Sequence, residues 1–350
     1  MIETPINILR EELGKIVTHI NDVKTQASII STAANAGLND AKVLLTHKTD
    51  EKKFLYNAVI ISAYGAFERY IESLLDEYIE KQGKLLIKFS LLNSKIQNNY
   101  VDNWKLLHKN LQYKKYAALN EKDLVTNLYD VICRGKGCVK PECYYKPNGN
   151  YNSKTILEVF QSIGIDNANI KEYCKIPEED VLTLSYETIV NNVDEIIERR
   201  HVIAHTTGKI DDILDGDILL LYISYLKLYA EALSDCLNDR LIDIFWSGMK
   251  DKRSIIQADN SMNSAQVLVF KNVHGVQFTK NQRVTICMPK GTYPRYKIVK
   301  IEEIRIIKKT GDKVKEVQRL VPKSTYLEVS MSFNDSTVIK QKVKVANKAF

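Results

Sequence analysis

The sequence lacks any apolar run that is long enough to cross a bilayer. Its longest uncharged apolar run, Phe54 to Phe67, is shorter than the roughly 20 apolar residues that a transmembrane helix needs. The first residues also lack the basic segment followed by an apolar segment that marks a secretory leader. Both absences favour a protein that works in the cytoplasm and has no membrane partner.

Cysteine is scarce, with 6 among 350 residues, and its spacing does not describe a disulfide framework. Cys133, Cys138 and Cys143 lie close together without a paired C-x2-C, which is unusual for structural zinc. The intervening Gly135-Lys136-Gly137 lacks the frame and the Lys-Ser/Thr ending of a phosphate-binding loop. We therefore predict a basic loop here, and the sequence indicates neither a metal nor a cofactor.

Charge is distributed unevenly along the chain. Residues 251–350 hold 20 Lys/Arg and 8 Asp/Glu, a net charge of +12, whereas residues 1–250 carry a net charge of −5. A basic surface of this kind favours a polyanionic partner such as RNA, although many basic domains are merely well solvated. Four basic residues are candidate RNA contacts in this region: Lys297, Lys300, Arg305 and Lys308.

The spacing of apolar residues divides the chain into two regions. Up to residue 248 they recur every three or four positions, which is typical of amphipathic helices, and from residue 265 they alternate as in strands. We expect an α+β protein, an all-α bundle followed by a small antiparallel β-barrel. The expected parts are a helical domain over 1–248 with an irregular insert at about 83–180, a linker over 249–264 and a basic β-rich domain over 265–350.

One predicted helix, residues 184–208, places a charge in its apolar stripe. Arg200 lies between Ile196/Ile197 and Ile203/Ala204, where the pattern predicts a buried aliphatic residue. A buried guanidinium is costly unless it is paired, so Arg200 either closes a structural salt bridge or faces a cleft that receives an anion. His205 follows five residues later, and histidine is the side chain best suited to moving protons near neutral pH.

A second predicted helix, residues 51–80, carries Glu68 at the border of its apolar face. This carboxylate would orient Arg200 or His205 from a neighbouring helix, or it would form a structural ion pair at the rim of the core. The sequence leaves both interpretations open.

Three segments together resemble HEPN domains, and in particular the branch related to RiboL-PSP proteins. The Arg200-x4-His205 spacing matches the family's R-x4-6-H signature, Phe67-Glu68-Arg69-Tyr70 resembles its early helix, and residues 152–165 resemble the segment before the signature. The resemblance covers about residues 50–245. His201 stands where the family usually has Asn, and Thr206 where it usually has Gly, so the role of His201 is open.

The resemblance implies a metal-independent endoribonuclease with RNA, such as tRNA, as its substrate. Arg200 would bind the scissile phosphate and His205 would transfer protons, with His201 and Glu68 in supporting roles. The family also implies a homodimer in which two signature helices face each other, and a toxin or antiviral role with an antitoxin or defence-complex protein as a further partner.

The spacing of the signature raises a geometric difficulty. Five residues of a straight helix rotate by about 140°, so Arg200 and His205 do not share a face unless the helix bends or ends there. A second subunit would also complete the site. His201 and His205 do share a face, but no third ligand lies near them in sequence, so we predict no metal site.

Two other functions remain open at this level. The first is a HEPN module that binds RNA or a nucleotide without cleaving it, and the second is a scaffold subunit whose partner carries the chemistry. The presence of both Arg200 and His205 favours the ribonuclease.

Overall fold

The computed structural model describes residues 2–147, 149–174, 185–205 and 213–248, and it describes shorter segments further along the chain. These are 255–258, 267–271, 277–287, 296–307, 314–316, 319–320, 328–333 and 343–346. The chain divides into two compact units, Ile2–Asn238 and Asp239–Phe350 together with Met1, and each is described by itself.

The described part of the chain is mostly helical up to residue 248. Its α-helices are α1 (Thr4–Asn35), α2 (Asn39–Thr46), α3 (Lys48–Leu85), α4 (Ser94–Lys109), α5 (Glu121–Ile132), α6 (Ser153–Ser162), α7 (Asn167–Tyr173), α8 (Tyr186–His205) and α9 (Gly216–Gly248). Short 3₁₀ helices lie at Phe89–Leu91, Lys114–Tyr116 and Pro141–Tyr144. The predicted helical N-terminal region is therefore present.

The first helix ends earlier than its apolar pattern suggests. Apolar residues keep helical spacing throughout residues 6–47, which favours a single helix, but α1 ends at Asn35 and α2 begins at Asn39. Gly37 lies between them with φ +93°, a left-handed conformation that ends helices and that glycine adopts without a steric penalty. The N–H of Leu38 donates to the carbonyl of Ala33 at 3.2 Å and satisfies one of the last carbonyls of α1.

Helix α3 is the centre of the Ile2–Asn238 unit and packs against both α1 and α8. Its apolar stripe follows helical spacing, and Phe67, Ile71 and Leu74 are fully buried. Truncating a leucine such as Leu74 to alanine costs about 2–5 kcal/mol because a cavity remains. On α8 the buried residues are Ile189, Val193, Ile196 and Ile197.

A hydrogen-bonded contact fixes α6 to α8. Asp194 of α8 accepts hydrogen bonds from the backbone N–H of Ser153 at 2.7 Å and from its hydroxyl. The side chain of Asn152 caps the same helix end by accepting from the N–H of Thr155. The segment before α6 is thereby held beside α8, which carries the candidate site.

The second unit contains short antiparallel strands. These are β1 (Ile255–Ala258), β2 (Val267–Lys271), β3 (Phe278–Thr279), β4 (Arg283–Cys287), β5 (Tyr296–Ile307), β6 (Val314–Glu316), β7 (Arg319–Leu320), β8 (Glu328–Phe333) and β9 (Val343–Ala346). They pair in the order β1-β9-β4-β5-β8-β2, with β6 also on β5, while β3 pairs with β7 in a separate two-stranded sheet. Strand β1 lies inside the stretch predicted as a linker.

The expected β-barrel is not present, because the main sheet is open. A barrel needs backbone pairing between the first and last strands of the order, and among the described strands no such pairing joins β1 with β2. Strand number and alternation, which the sequence shows, do not specify this last pairing. Residues 310–313, whose Thr-Gly-Asp-Lys sequence favours a hairpin turn, lie outside the described residues, although the flanking β5 and β6 pair with Ile307 opposite Val314.

Candidate active site

Arg200 lies in the last two turns of α8 and is only partly buried. Its guanidinium carbon lies 5.0 Å from the centre of the Tyr64 ring of α3, within the range of a cation–π interaction. Within the part of the chain that the structure describes, no carboxylate forms an ion pair with Arg200. The group is thus held by an aromatic face while its N–H donors remain available for an anion.

The neighbouring Arg199 has different surroundings. Its Nε and Nη2 donate to Glu195 Oε1 at 3.0 and 2.7 Å, and its Nη1 donates to the hydroxyl of Tyr56 at 3.1 Å. The structural salt bridge that the sequence analysis considered for Arg200 is therefore formed by Arg199.

The hydroxyl of Tyr64 makes two hydrogen bonds that hold the side chain in place. The hydroxyl donates to the carbonyl of Gly149 at 2.5 Å and accepts from the N–H of Tyr151 at 3.1 Å. Burial raises the pKa of Tyr64 to about 12, so the phenol stays protonated at neutral pH and keeps donating. The position of the Tyr64 ring, on which Arg200 lies, thus depends on Gly149 and Tyr151.

Glu68 lies one helical turn after Tyr64 on α3 and is partly buried. Burial is the largest cause that raises its pKa, Glu72 adds to the increase, and Lys115 and Arg200 oppose it. Glu68 is thus close enough to Arg200 to interact electrostatically, but no described hydrogen bond joins the two.

Gly149 is the backbone neighbour of the Glu68 carboxylate. A Cβ at Gly149 would lie 1.9 Å from Glu68 Oε1, and the residue has φ +67°. The left-handed backbone favours glycine here, and any added Cβ would also displace the Glu68 carboxylate.

Glu72 and Lys115 attach the same loop to α3. Glu72 pairs with Lys115 and accepts a hydrogen bond from the hydroxyl of Tyr151 at 3.0 Å. Lys115 Nζ donates to the carbonyl of Lys146 at 2.9 Å and lies 5.5 Å from the centre of the Tyr151 ring. The result is a partly buried polar network that continues from Glu68 towards the C-terminal half of α3.

His201 and His205 are exposed and lie on a different face of the last turns of α8 from Arg200. Their ring centres are 4.4 Å apart with the planes at 52°. The helix runs unbroken to His205, and no described contact joins His205 to Arg200. Within one chain, the structure brings Arg200 together with Tyr64 and Glu68, and His205 together with His201.

The basic candidates of the second unit lie on β5 or beyond it. Lys300 is exposed and pairs in register with Arg283 of β4, which is also exposed. Lys297 stands opposite Ile286 and Arg305 opposite Glu316, but the side chains of Lys297 and Arg305 lie outside the described residues. Lys308 lies wholly outside them.

The cysteine-containing loop has no arrangement typical of zinc. Cys133 and Cys138 are exposed, Cys143 and Cys174 are buried, and the described residues contain no group of three or more His, Cys, Asp or Glu side chains placed for a metal ion. Burial raises the pKa of the Cys143 thiol and raises that of Cys174 to about 12, which disfavours the thiolate that binds metals.

Sequence reasoning did not identify Tyr64, Gly149, Tyr151 or Lys115 as part of the site. Tyr64 had a readable signal, since it precedes Glu68 by one helical turn. The turn-forming composition of 147–150 indicated a loop around Gly149 but not its contact with Glu68. Lys115 and Tyr151 had no local signal for their place in the site, because Glu72, which both contact, is more than 40 residues away from each in sequence.

None of the helices that the structure describes has the length and apolar character needed to span a membrane. A search of curated proteins found no match to the chain. The model of the RiboL-PSP-HEPN family matches residues 18–239, which is more than half of the chain and includes α3, α8 and the loop between them. The resemblance inferred from Arg200, His205 and two flanking segments is confirmed: the chain belongs to the RiboL-PSP-HEPN family.

Proposed function

We propose that the protein is a metal-independent endoribonuclease in which Arg200 binds the scissile phosphate and His205 transfers protons. Membership of the HEPN family indicates a ribonuclease or RNA-binding function. The proposed roles rest on the surroundings of Arg200. Its partly buried guanidinium lies on the Tyr64 ring and forms no ion pair with a carboxylate among the described residues.

The chemistry needs only groups that this chain and RNA supply. The 2′-oxygen of the ribose attacks the phosphorus, its proton passes to a base, and the bond to the 5′-oxygen breaks as that oxygen takes up a proton. His205 is exposed and acts as the base or the acid. The products are a 2′,3′-cyclic phosphate and a 5′-hydroxyl.

Arg200 contributes through charge and shape. Negative charge builds on the non-bridging oxygens as the fifth bond to phosphorus forms, and a planar guanidinium binds two such oxygens at once. Because the group is already oriented by Tyr64, little reorganisation is required when this charge develops. Glu68 supports the arrangement through its electrostatic interaction with Arg200.

A second copy of the chain completes the site in this proposal. Arg200 and His205 lie in different surroundings within one chain. In the proposed dimer, a phosphate bound to Arg200 therefore exchanges protons with His205 from the facing α8 of the second copy. The proposal therefore includes a homodimer formed through the signature helices. It also places the activity in the cytoplasm, in a toxin or antiviral role with an antitoxin or defence-complex protein as a further partner.

One observation favours a second function, RNA binding without cleavage. No described residue donates to or accepts from the ring nitrogens of His205, whereas a catalytic histidine is usually oriented by a hydrogen bond to its second nitrogen. In that case Arg200 and the exposed basic residues of β4 and β5 would bind RNA and no bond would break.

The deciding experiment is cleavage of total RNA and of tRNA by the full chain in EDTA, with the ends of the products mapped. We expect cyclic-phosphate ends, and loss of cleavage in Arg200→Ala and His205→Ala. The matched control is Arg134→Ala, which removes an exposed arginine that lies outside α8 and pairs with Asp130. This variant should cleave RNA normally. RNA binding without cleavage by the wild type, weakened in Arg200→Ala and kept in Arg134→Ala, would select the binding function.

A further inference from the structure

We propose that His201 and His205 form a two-histidine binding site for Zn²⁺ or a similar transition-metal ion at the end of α8, and that an ion bound there inhibits the protein. The inhibitory part rests on the ribonuclease proposed above. The binding part rests only on the geometry of α8.

The two imidazoles are placed as a chelating pair. They stand four residues apart on one exposed face of a helix, and their ring centres are 4.4 Å apart. Imidazole nitrogen is a preferred ligand of zinc, copper and nickel. Neither ring has a hydrogen-bond or ion-pair partner among the residues that the structure describes.

The charge around the pair favours a cation. His201 and His205 occupy the last turns of α8, where the helix dipole is negative. Glu198 is exposed and lies on the same face, three residues before His201 and seven before His205, and it adds a negative charge beside the rings.

The sequence alone predicted no metal site at this pair because a third ligand is missing, and the described residues likewise supply only two ligands. The proposal therefore concerns a two-ligand site and not a structural metal centre. The ion's other coordination positions are therefore open to water or to a phosphate oxygen. Such a site differs from a structural zinc site, because it binds more weakly and releases its ion to a chelator.

A bound metal ion inhibits RNA cleavage because it occupies the lone pair of a histidine ring nitrogen. A histidine that coordinates an ion through a ring nitrogen cannot accept a proton at that nitrogen. A metal on His205 thus removes the base or acid of the reaction, and it does so without changing the fold.

The test is calorimetric titration of the full chain with Zn²⁺, carried out with Cys133 and Cys138 replaced by serine because both thiols are exposed and compete for zinc. We expect one saturable site, weakened about tenfold or more in His201→Ala, His201→Gln and His205→Ala, since loss of a ligand costs at least as much as loss of an outer-sphere partner. His108→Ala, which removes an exposed histidine that interacts with Glu121, should bind zinc as the parent does. Circular dichroism checks that each variant is folded.

Two results would overturn the metal site: no saturable binding, or equal affinity in the parent and the α8 variants. The inhibitory part is read separately, as zinc-dependent loss of RNA cleavage that EDTA restores. Zinc bound at the pair with cleavage unchanged would refute the inhibition. A chain that binds zinc through both histidines but cleaves no RNA would refute the ribonuclease and the inhibition, and leave the metal site standing.

Discussion

The guanidinium carbon of Arg200 lies 5.0 Å from the centre of the Tyr64 ring, which joins the signature helix α8 to the early helix α3. The ring's hydroxyl is bonded in turn to the backbone of Gly149 and Tyr151. The orientation of Arg200 therefore depends on three segments that are distant in sequence, and this dependence can be tested residue by residue.

Two substitutions at Tyr64 distinguish the contribution of the ring from that of the hydroxyl. In Tyr64→Leu the cation–π contact is lost, and we expect RNA cleavage to fall about 2- to 30-fold, since such a contact contributes about 0.5–2 kcal/mol. In Tyr64→Phe the ring stays, but the polar groups of Gly149 and Tyr151 lose their partner, so the free energy of unfolding should fall by about 1–3 kcal/mol.

The two Tyr64 variants serve as controls for each other. Cleavage rates and urea denaturation would be measured on both. Equal cleavage by the Leu and Phe variants would show that the ring does not position Arg200.

Arg199 and Arg200 should have opposite effects when each is changed to alanine. Arg199→Ala loses its bonds to Glu195 and Tyr56, and we expect a loss of about 1–2 kcal/mol in the free energy of unfolding with cleavage retained. Arg200→Ala should unfold nearly as the parent does but cleave RNA about 10²- to 10³-fold more slowly, because a donor to the developing charge is lost.

The comparison of these adjacent arginines needs urea denaturation and cleavage rates on the same preparations. A variant in which both properties change together would contradict the division of roles. Arg199→Lys adds a further check, since it keeps the charge but loses the planar pair of donors.

The sequence predicted the helical character of the first unit, because amphipathic spacing is a local property. It also led to the right family, since the signature residues and two flanking segments are visible in the chain. The break between α1 and α2 was missed because one glycine, Gly37, overrides an otherwise continuous helical pattern.

The sequence holds a signal for the pairing of Arg199 that the apolar pattern alone does not use. Glu195 lies four residues before Arg199, the spacing of helical ion pairs, and five residues before Arg200. The further bond from Arg199 to Tyr56 joins two helices and has no such local signal. The open sheet was missed because pairing of the edge strands β1 and β2 is a non-local choice that alternation does not encode.

Gly149→Ala should destabilise the protein. The new Cβ would meet Glu68 Oε1 and would have to adopt φ +67°, which costs on the order of 1–3 kcal/mol for a non-glycine residue. Gly14→Ala is the matched control, because Gly14 lies in the interior of α1 with open space around it and should gain up to about 1 kcal/mol.

Urea denaturation of both glycine variants decides this prediction. The double variant Gly149→Ala/Glu68→Ala removes the collision but keeps the backbone strain, so it should recover only part of the loss. Full recovery of the free energy of unfolding would show that the whole loss comes from the collision with Glu68.

Asp76 should make the stability of the folded chain fall as pH rises from about 4 to about 6. Burial raises its pKa from 3.8 to about 6, Glu142 and Glu72 add to the increase, and the hydrogen bond from Tyr145 opposes it. In this window the folded state holds a proton that the unfolded state has released, so raising the pH favours unfolding.

Asp76→Asn removes this titration while it keeps an oxygen that accepts from Tyr145. We expect the variant to be more stable than the parent above pH 6 by on the order of 1–2 kcal/mol, a value reduced for the partial exposure of the carboxyl group, and the two should converge near pH 4. Urea denaturation at several pH values measures the difference. Asp102→Asn, at an exposed carboxylate paired with Lys105, should leave the decline between pH 4 and 6 in place. If the Asp76 variant showed the same decline as the parent, another buried acid such as Glu68 would have to account for it.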